Sequence, residues 1–392
     1  MCWTFLVLLS VIGSASAQTL RSLAQSHGVY IGAAIGYEFW NRNANPKYRE
    51  TMIHEFNLVV PENAMKFDLL EPQPDQFNFV QADSLVAFAE RNGMKIRGHN
   101  LVWHQQSGWV EKSGLGRTEM LAVLKNHANK VLGHYKGKIL EWDVVNEAID
   151  DNGGNLRDTF WRKAIGDDYL DSAFVYAHQA DPEALLFYND YSAEGMDAKS
   201  NKVYNLVKGF KDRGIPIHGV GLQCHFLNSS WPSPANLDLN MKRLATLGLR
   251  VSLTEVDFRI KIPADSVSLD LQQKSYRTLL GVCLANANCK CFLTWGFTDA
   301  YSWIPNFFPG MGAALPFDSQ YKTKPAYFGM QEALVTLSIN QDGSALHLDL
   351  HPRKFFLDKT GANFCFNTGR AHLKASLFNT LGREKMTTVK LP

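Results

Sequence analysis

The chain has 392 residues, of which 45% are hydrophobic and 20% are charged, a balance that is typical of ordered globular proteins and excludes wholesale disorder. Its formal net charge of +2 creates no broad field of one sign, which argues against nucleic acid or an anionic membrane as the main partner. A neutral ligand is a better match for this charge.

The first 17 residues have the pattern of a secretory signal peptide. An apolar run from Phe5 to Ile12 is followed by Ala15-Ser16-Ala17, a cleavage site of the A-x-A type just before Gln18. No later stretch approaches the roughly 20 apolar residues that a membrane helix needs. The pattern predicts a secreted, extracellular protein that folds in an oxidising compartment.

From residue 30 onward, short β-rich apolar runs alternate with amphipathic stretches. Eight segments are predicted to be strands: Tyr30–Ile35, Leu58–Pro61, Lys95–Asn100, Ile139–Val145, Leu185–Asn189, Ile217–Gln223, Arg250–Glu255 and Cys291–Trp295. Intervening stretches are predicted to be helices, among them Asp83–Arg91, Thr118–Tyr135, Asp168–Ala180, Ala198–Arg213, Asn236–Leu247 and Leu269–Ala285. Alternating βα units over about 300 residues predict either a closed barrel or an open doubly wound sheet.

Two features favour the closed (β/α)8 TIM barrel, an α/β fold. No Gly-x-Gly-x-x-Gly fingerprint follows the first predicted strand, which counts against a dinucleotide-binding sheet. Polar or aromatic residues also stand at the C-terminal ends of many strands: Glu62-Asn63, His99-Asn100, Asn146-Glu147, Asn189-Asp190, Gln223, His225, Glu255, Asp257 and Trp295. These ends converge on one axis in a barrel, so the sequence predicts an active site at that face.

Asn228-Ser229-Ser230 forms an N-glycosylation sequon in a loop expected at the top of this barrel. The motif makes Asn228 a candidate glycosylation site and predicts that this loop is exposed.

Five cysteines remain if Cys2 leaves with the signal peptide, so one of them must be unpaired. Cys283 and Cys289 flank the turn-like segment Leu-Ala-Asn-Ala-Asn after a predicted helix, which favours a short local disulfide between them. A pairing that uses Cys291 stays open.

After about Leu337 the pattern changes to short alternating segments with Gly-containing turns, such as Ala345–Leu350, Lys354–Leu357 and Lys374–Phe378. The sequence therefore predicts a catalytic barrel over residues 18–337 and a small β-rich extension over residues 338–392. About 50 residues are marginal as an independent domain, so we expect the extension to dock on the barrel.

Two predicted strands end in a glutamate at the expected barrel mouth. One is Trp142-Asp143-Val144-Val145-Asn146-Glu147, and the other, three strands further around, is Val251-Ser252-Leu253-Thr254-Glu255-Val256-Asp257. A lone glutamate there would be interpreted as a solvated charge in a loop. Two carboxylates that face each other across a cleft are the smallest set of side chains that can hydrolyse a glycosidic bond. A carboxylate separation of about 5–5.5 Å implies retention, and one of about 6.5–9.5 Å implies inversion.

These segments and three others resemble the glycoside hydrolase family 10 xylanases over about residues 20 to 336. The others are Glu62-Asn63-Ala64-Met65-Lys66, Arg97-Gly98-His99-Asn100-Leu101-Val102-Trp103-His104 and Gly221-Leu222-Gln223-Cys224-His225. The resemblance implies a retaining endo-β-1,4-xylanase that acts on xylan and xylo-oligosaccharides without a metal or cofactor. It also implies Glu147 as the acid/base and Glu255 as the nucleophile, and we expect a monomer.

The resemblance also implies the residues that bind the sugars. Asn146 would hydrogen-bond the 2-hydroxyl of the reacting sugar, a bond that strengthens in the transition state. His225 and Asp257, near the nucleophile in sequence, would hold its orientation and charge. The other predicted sugar contacts are Glu62, Asn63, Lys66, His99, Trp103, Gln223, His225, Trp295 and Trp303. Plain core packing is the alternative for the last two tryptophans, more so for Trp295, which ends a strand.

Three alternatives stay open. His99, His104 and His225 could bind zinc, although the usual His-x-His pair is missing. The chain could be a β-1,4-glucanase or a mixed-specificity glycanase, because glucose and xylose polymers differ by a hydroxymethyl group. It could also be a non-catalytic polysaccharide-binding protein, although a binder would need neither carboxylate.

Overall fold

A computed structural model of the chain describes residues 18–41, 46–105, 108–151 and 154–340, together with five short strands between residues 346 and 387. The predicted signal peptide, residues 1–17, lies outside the described residues. Side chains are described as far as residue 335.

Eight parallel strands close into a barrel. With two short strands that pair beside the barrel, β7 and β10, the strands of this sheet in chain order are β1 (Tyr30–Ile35), β2 (Leu58–Pro61), β3 (Lys95–Val102), β4 (Glu141–Asn146), β5 (Leu185–Asp190), β6 (Gly219–Leu222), β7 (His225–Leu227), β8 (Arg250–Lys261), β9 (Cys289–Thr294) and β10 (Met311–Gly312). The barrel order is β1-β2-β3-β4-β5-β6-β8-β9, and β9 pairs back with β1. The predicted (β/α)8 barrel is confirmed. The two short strands β7 and β10 both pair with the long strand β8.

Helices precede, connect and follow the barrel strands. They are α1 (Leu20–Ser26), α2 (Pro46–Glu55), α3 (Phe67–Leu70), α4 (Val80–Arg91), α5 (Arg117–His134), α6 (Phe160–Ile165), α7 (Tyr169–Ala180), α8 (Ala198–Asp212), α9 (Pro234–Thr246), α10 (Ser266–Ala285), α11 (Ile304–Phe307) and α12 (Pro325–Asn340). Side-chain caps fix several starts: the carboxylates of Asp197 and Asp265 and the hydroxyl of Ser233 accept the backbone N–H of the third helical residue.

The lower part of the barrel interior holds a buried charge cluster that the sequence analysis did not anticipate. The Arg97 guanidinium, with no exposed surface, donates to the carboxylates of Glu141 and Asp143. The Ser252 hydroxyl also donates to Glu141, at 3.0 Å. Burial opposes ionisation of Asp143, but Arg97 and His99 outweigh it and lower the pKa of this carboxyl. The cluster places the charged Arg97 guanidinium between two carboxylates inside the barrel, below the mouth.

One glycine of β6 makes room for polar groups inside the barrel. A Cβ at Gly221 would lie 2.2 Å from the Asn189 Oδ1 atom and 2.9 Å from the Thr254 methyl group. Such approaches are far below van der Waals contact, so any larger residue at position 221 would displace Asn189.

The structure joins Cys283 on α10 to Cys289 on β9 in a disulfide, the pair that the sequence favoured. Cys291 is two residues further along β9, and its Sγ lies inside the barrel, 3.4 Å from the Glu141 Oε1 atom. The alternative pairing through Cys291 is therefore not the one that the structure has. Cys224 and Cys291 are reduced and buried.

The loop that carries the sequon is exposed at Ser229 and Ser230, whereas Asn228 itself is buried. Only 3% of this residue is exposed, and its Nδ2 donates to the carbonyl oxygen of Ser268 at 3.1 Å. Its backbone N–H donates to the Arg259 carbonyl at 3.0 Å. The loop folds back on β8, so in the folded chain the amide nitrogen that would carry a glycan is already engaged.

Helix α12 runs to Asn340, three residues beyond the predicted end of the barrel at residue 337. Beyond it, β14 (Ala375–Phe378) pairs antiparallel with both β11 (Leu346–His347) and β15 (Glu384–Thr387), and β12 (Phe356–Leu357) pairs with β13 (Phe364–Cys365). None of the helices in the described part of the chain is both long and apolar enough to span a membrane.

Candidate active site

Both predicted catalytic glutamates lie at the barrel mouth, where β4 and β8 carry them. Glu147 directly follows β4, and Glu255 lies within β8; they are 9% and 5% exposed. A single amide links their surroundings, because Asn189 Nδ2 donates to Asn146 Oδ1 and to Glu255 Oε1, both at 2.8 Å. The structure thus brings the ends of the two strands together around one cleft.

Glu255 lies beside a positively charged imidazole. His225 Nε2 is 3.1 Å from a Glu255 oxygen, and His225 Nδ1 is 2.8 Å from Asp257 Oδ2. Burial opposes the charge on His225, but Asp257 and Glu255 outweigh burial and raise its pKa to about 10. Burial would raise the pKa of Glu255, yet hydrogen bonds from His225 and Asn189 and the charge of His99 bring it below its ordinary value. Glu255 is therefore held ionised.

Glu147 lies among neutral donors. Trp103 Nε1 donates to one of its oxygens at 2.8 Å, and Gln223 Nε2 and Asn146 Nδ2 donate to the other at 3.0 and 3.2 Å. The nearest titratable ring, His104, is 3.8 Å away, and burial lowers its pKa. A carboxyl with neutral partners can take up and release a proton without breaking a salt bridge.

A polar group from the end of β2 lines the cleft beside Trp103. Lys66 Nζ donates to Asn63 Oδ1 at 2.8 Å and lies 4.9 Å from the centre of the Trp103 ring. Asn63 Nδ2 lies 3.4 Å from a Glu62 oxygen. Burial lowers the pKa of Lys66 and raises that of Glu62, although each stabilises the charge of the other. These are directional donors and acceptors that can bind a hydroxylated ligand.

Two tryptophans form aromatic surfaces around His225. Trp303 Nε1 donates to Asp257 Oδ2 at 2.9 Å, and its ring centre is 4.9 Å from that of His225. Trp295 is 9% exposed, packs on buried aliphatic residues of the barrel and meets His99 edge to face at 5.2 Å. Trp295 therefore packs in the core and also contacts His99 of the predicted site, so core packing and sugar binding do not exclude each other as interpretations of this residue.

The three histidines of the zinc alternative have different partners. His99 Nδ1 is 3.0 Å from Asp143, whereas His104 and His225 lie beside the two glutamates. Within the ranges that the structure describes, no group of three His, Cys, Asp or Glu side chains is arranged to hold a metal ion.

Sequence reasoning noted Asn189 only as a polar strand end and gave it no role in the site. The Thr254 hydroxyl donates to Asn189 Oδ1 at 2.7 Å, which fixes the amide so that its NH2 group faces Glu255. Asn189 pairs in register with Asn146 on β4. That register is the signal that could have revealed it, because an amide directly beside Asn146 must share its cleft.

The chain is similar to known glycan-cleaving enzymes along nearly all of the barrel. Residues 19–333 match glycosyl hydrolase family 10. Endo-1,4-beta-xylanase B of Thermotoga neapolitana is 39% identical over 333 residues, which are 84% of this chain and 96% of that protein. Endo-1,4-beta-xylanase 1 of Humicola insolens is 40% identical, covering 82% and 75%. The crystal structure of xylanase 10B from Thermotoga petrophila in complex with xylobiose superposes with a TM-score of 0.80 at 41% identity, covering 82% and 99%.

Proposed function

Because the chain belongs to glycosyl hydrolase family 10, we propose that it is an endo-β-1,4-xylanase that hydrolyses internal β-1,4-xylosidic bonds of xylan. Similar proteins at about 40% identity bear that name, and one similar structure is titled as a complex with xylobiose. Xylan and xylo-oligosaccharides are the substrates that this proposal names.

The observation that carries the proposal is the unequal environment of the two glutamates. Glu255, beside the His225 imidazolium, is an ionised carboxylate that can attack the anomeric carbon. Glu147, among neutral donors, can give a proton to the departing glycosidic oxygen. A bond then forms between Glu255 and the sugar as the glycosidic bond breaks, which yields a covalent glycosyl-enzyme.

In the second half of the reaction, Glu147 as a carboxylate takes a proton from water, and the water oxygen replaces Glu255 at the anomeric carbon. Two inversions at one carbon give retention of configuration. Glu147 thereby regains its proton, and Glu255 leaves as an ionised carboxylate that His225 again stabilises. The side chains carry out the whole cycle without a metal or cofactor.

The remaining cleft residues receive the sugars in this proposal. Asn146, whose amide oxygen already accepts from Asn189, would hydrogen-bond the 2-hydroxyl of the reacting xylose. Glu62, Asn63 and Lys66 would bind the sugar two places before the cut. His99, Trp103 and Gln223 would line the reacting subsite, and Trp295 and Trp303 would form its aromatic walls.

We further propose that residues 18–337 form the catalytic barrel of a secreted, extracellular enzyme and that residues 338–392 are a β-rich extension. The family match, which ends at residue 333, supports this division.

The test is release of reducing sugar from xylan by the wild type and by Glu255→Ala. The wild type should release xylo-oligosaccharides and the variant should release none, whereas a polysaccharide-binding protein would give no release in either. Aryl xylobioside and cellobioside should be compared in the same assay. Equal kcat/KM on this matched pair would contradict the xylanase assignment and favour the glucanase.

A further inference from the structure

The backbone after β4 takes a conformation that glutamate seldom adopts. Glu147 has a φ of 57°, in the left-handed region where the Cβ atom is crowded by the neighbouring carbonyl. A side-chain-bearing residue stays in this region only where its surroundings hold it. The groups that hold this turn therefore decide where the Glu147 carboxyl points.

Tyr188 holds the N–H side of the turn. Its hydroxyl oxygen accepts hydrogen bonds from the backbone N–H groups of Ala148 and Ile149, at 3.1 and 3.2 Å, and its O–H donates to Asp190. These three bonds use both lone pairs and the proton of the hydroxyl. Tyr188 and Asp190 have no exposed surface, and Asp190 Oδ1 lies 2.9 Å from Lys199 Nζ.

Arg157 holds the carbonyl side of the same turn. Its Nε donates to the Glu147 carbonyl at 3.1 Å, and its Nη2 donates to the Ile149 carbonyl at 3.2 Å. The guanidinium is itself fixed by the Asp151 carboxylate at 2.9 Å and by the Tyr191 hydroxyl at 3.0 Å. A planar fork with several donors suits this task, because one rigid group reaches two carbonyls.

Tyr188 approaches the turn from outside the cleft. Successive side chains of a strand point to opposite faces, and on β5 it is Asn189 that reaches Glu255. Its neighbours Tyr188 and Asp190 therefore face the other side of the strand. Tyr188 acts on Glu147 through the backbone alone, since its hydroxyl is fully used by Ala148, Ile149 and Asp190.

We propose that Tyr188 and Arg157 are positioning residues that hold the carboxyl of Glu147 in line with the glycosidic oxygen that it protonates. The inference rests on the proposed role of Glu147 as the acid/base. It implies that a variant with a loosened turn loses more kcat/KM on substrates whose leaving group must be protonated than on substrates whose leaving group departs without a proton. General loss of structure would impair all substrates alike.

The experiment is Tyr188→Phe, which keeps the ring and removes the oxygen. We expect kcat/KM on xylotetraose, whose leaving group needs protonation, to fall by about 10-fold or more. On 2,4-dinitrophenyl xylobioside, whose leaving group needs little, the fall should stay below about 3-fold. Rates are expressed per active site, counted by covalent trapping of the nucleophile with a 2-fluoro xylobioside, so that misfolded protein does not enter the comparison.

Tyr276→Phe is the matched control, because the buried Tyr276 hydroxyl donates to the Ala314 carbonyl at 2.8 Å and contacts neither glutamate. Its ratio of the two rates should equal that of the wild type. Arg157→Lys, which keeps the charge but not the fork, should shift the ratio in the same direction as Tyr188→Phe and carries the test if the phenylalanine variant does not fold. An unchanged ratio in the folded variants overturns the proposal. Inactivity of the wild type on xylotetraose would instead contradict the proposed function.

Discussion

The two glutamates at the barrel mouth are held in different ways. Glu255 lies within a continuous strand, and its charge is set by side chains, chiefly the His225 imidazolium and the Asn189 amide. Glu147 lies just past a strand end in a left-handed turn, and no cation is in hydrogen-bonding contact with its carboxylate among the described residues. The surroundings of Glu255 set its charge, whereas the surroundings of Glu147 set the conformation of its backbone. A nucleophile must stay charged, whereas a proton donor must reach one atom of a departing group, and the two environments match those needs.

The largest expected effect comes from exchanging each glutamate for glutamine. Glu255→Gln should remove activity on xylan and on dinitrophenyl xylobioside alike, by about 10⁴-fold or more, because no covalent intermediate can form. Glu147→Gln should reduce kcat/KM on xylo-oligosaccharides by roughly 10²- to 10⁴-fold and leave most of it on the activated substrate. Steady-state kinetics on both substrates check this. Equal kcat/KM of the two variants on the activated substrate would contradict the assignment of Glu147 as the acid/base and Glu255 as the nucleophile.

The next effect concerns the sugar that the Glu255 side of the cleft accepts. Trp303 is fixed by Asp257 and stands against His225, so it forms a rigid wall. A hydroxymethyl group crowded against such a wall typically costs about 1–3 kcal/mol, or roughly ten- to a hundred-fold in kcat/KM. We expect the wild type to prefer a xylobioside over the matched cellobioside by this factor and Trp303→Ala to narrow the preference. The ratio of kcat/KM on the two substrates is measured within each variant, so a general loss of folded protein cancels. An unaltered ratio in Trp303→Ala would mean that Trp303 does not determine the preference for xylose.

The third effect is the pH dependence of the free energy of unfolding that His225 introduces, which touches stability and not the rate of cleavage. Its folded pKa of about 10 exceeds the ordinary value of 6.5, so its stabilisation is complete below about pH 6.5 and is lost as the pH rises to about 10. Urea unfolding of the wild type should show a free energy of unfolding that falls by up to about 1.4 kcal/mol per pH unit across this window. His225→Gln should lack that component of the slope. Parallel slopes would mean that His225 is not an imidazolium in the folded protein.

The fold was largely predictable from local pattern, and the contacts inside it were not. All eight barrel strands were anticipated to within a few residues at most ends, because parallel strands buried on both faces leave continuous apolar runs. The cluster around Arg97 escaped prediction, since Arg97, Glu141 and Asp143 lie on neighbouring strands and their meeting depends on barrel register.

The same limit applies to the surroundings of the site. Glu147 lies just past a strand end as predicted, whereas β8 runs on to Lys261 and carries Glu255 within the strand. The bond from Asn189 to Asn146 depends on the register between β4 and β5, and its bond to Glu255 depends on the closure of the barrel, neither of which a local pattern reveals. The sequon could not indicate the burial of Asn228 itself, because a sequon reports local sequence only and the Asn228 amide contacts Ser268, 40 residues further along the chain.

Strand β9 carries a disulfide cysteine and a free thiol only two residues apart, on opposite sides of the barrel wall. Cys289 is oxidised with Cys283 on the helix side, while Cys291 points inward beside Glu141, and burial raises the pKa of its thiol. Cys224, between β6 and β7, is equally buried, and burial raises the pKa of its thiol too. Neither thiol can meet an aqueous alkylating reagent while the barrel is closed. With Cys365 replaced by serine, the rate of thiol labelling would therefore measure how often the barrel opens.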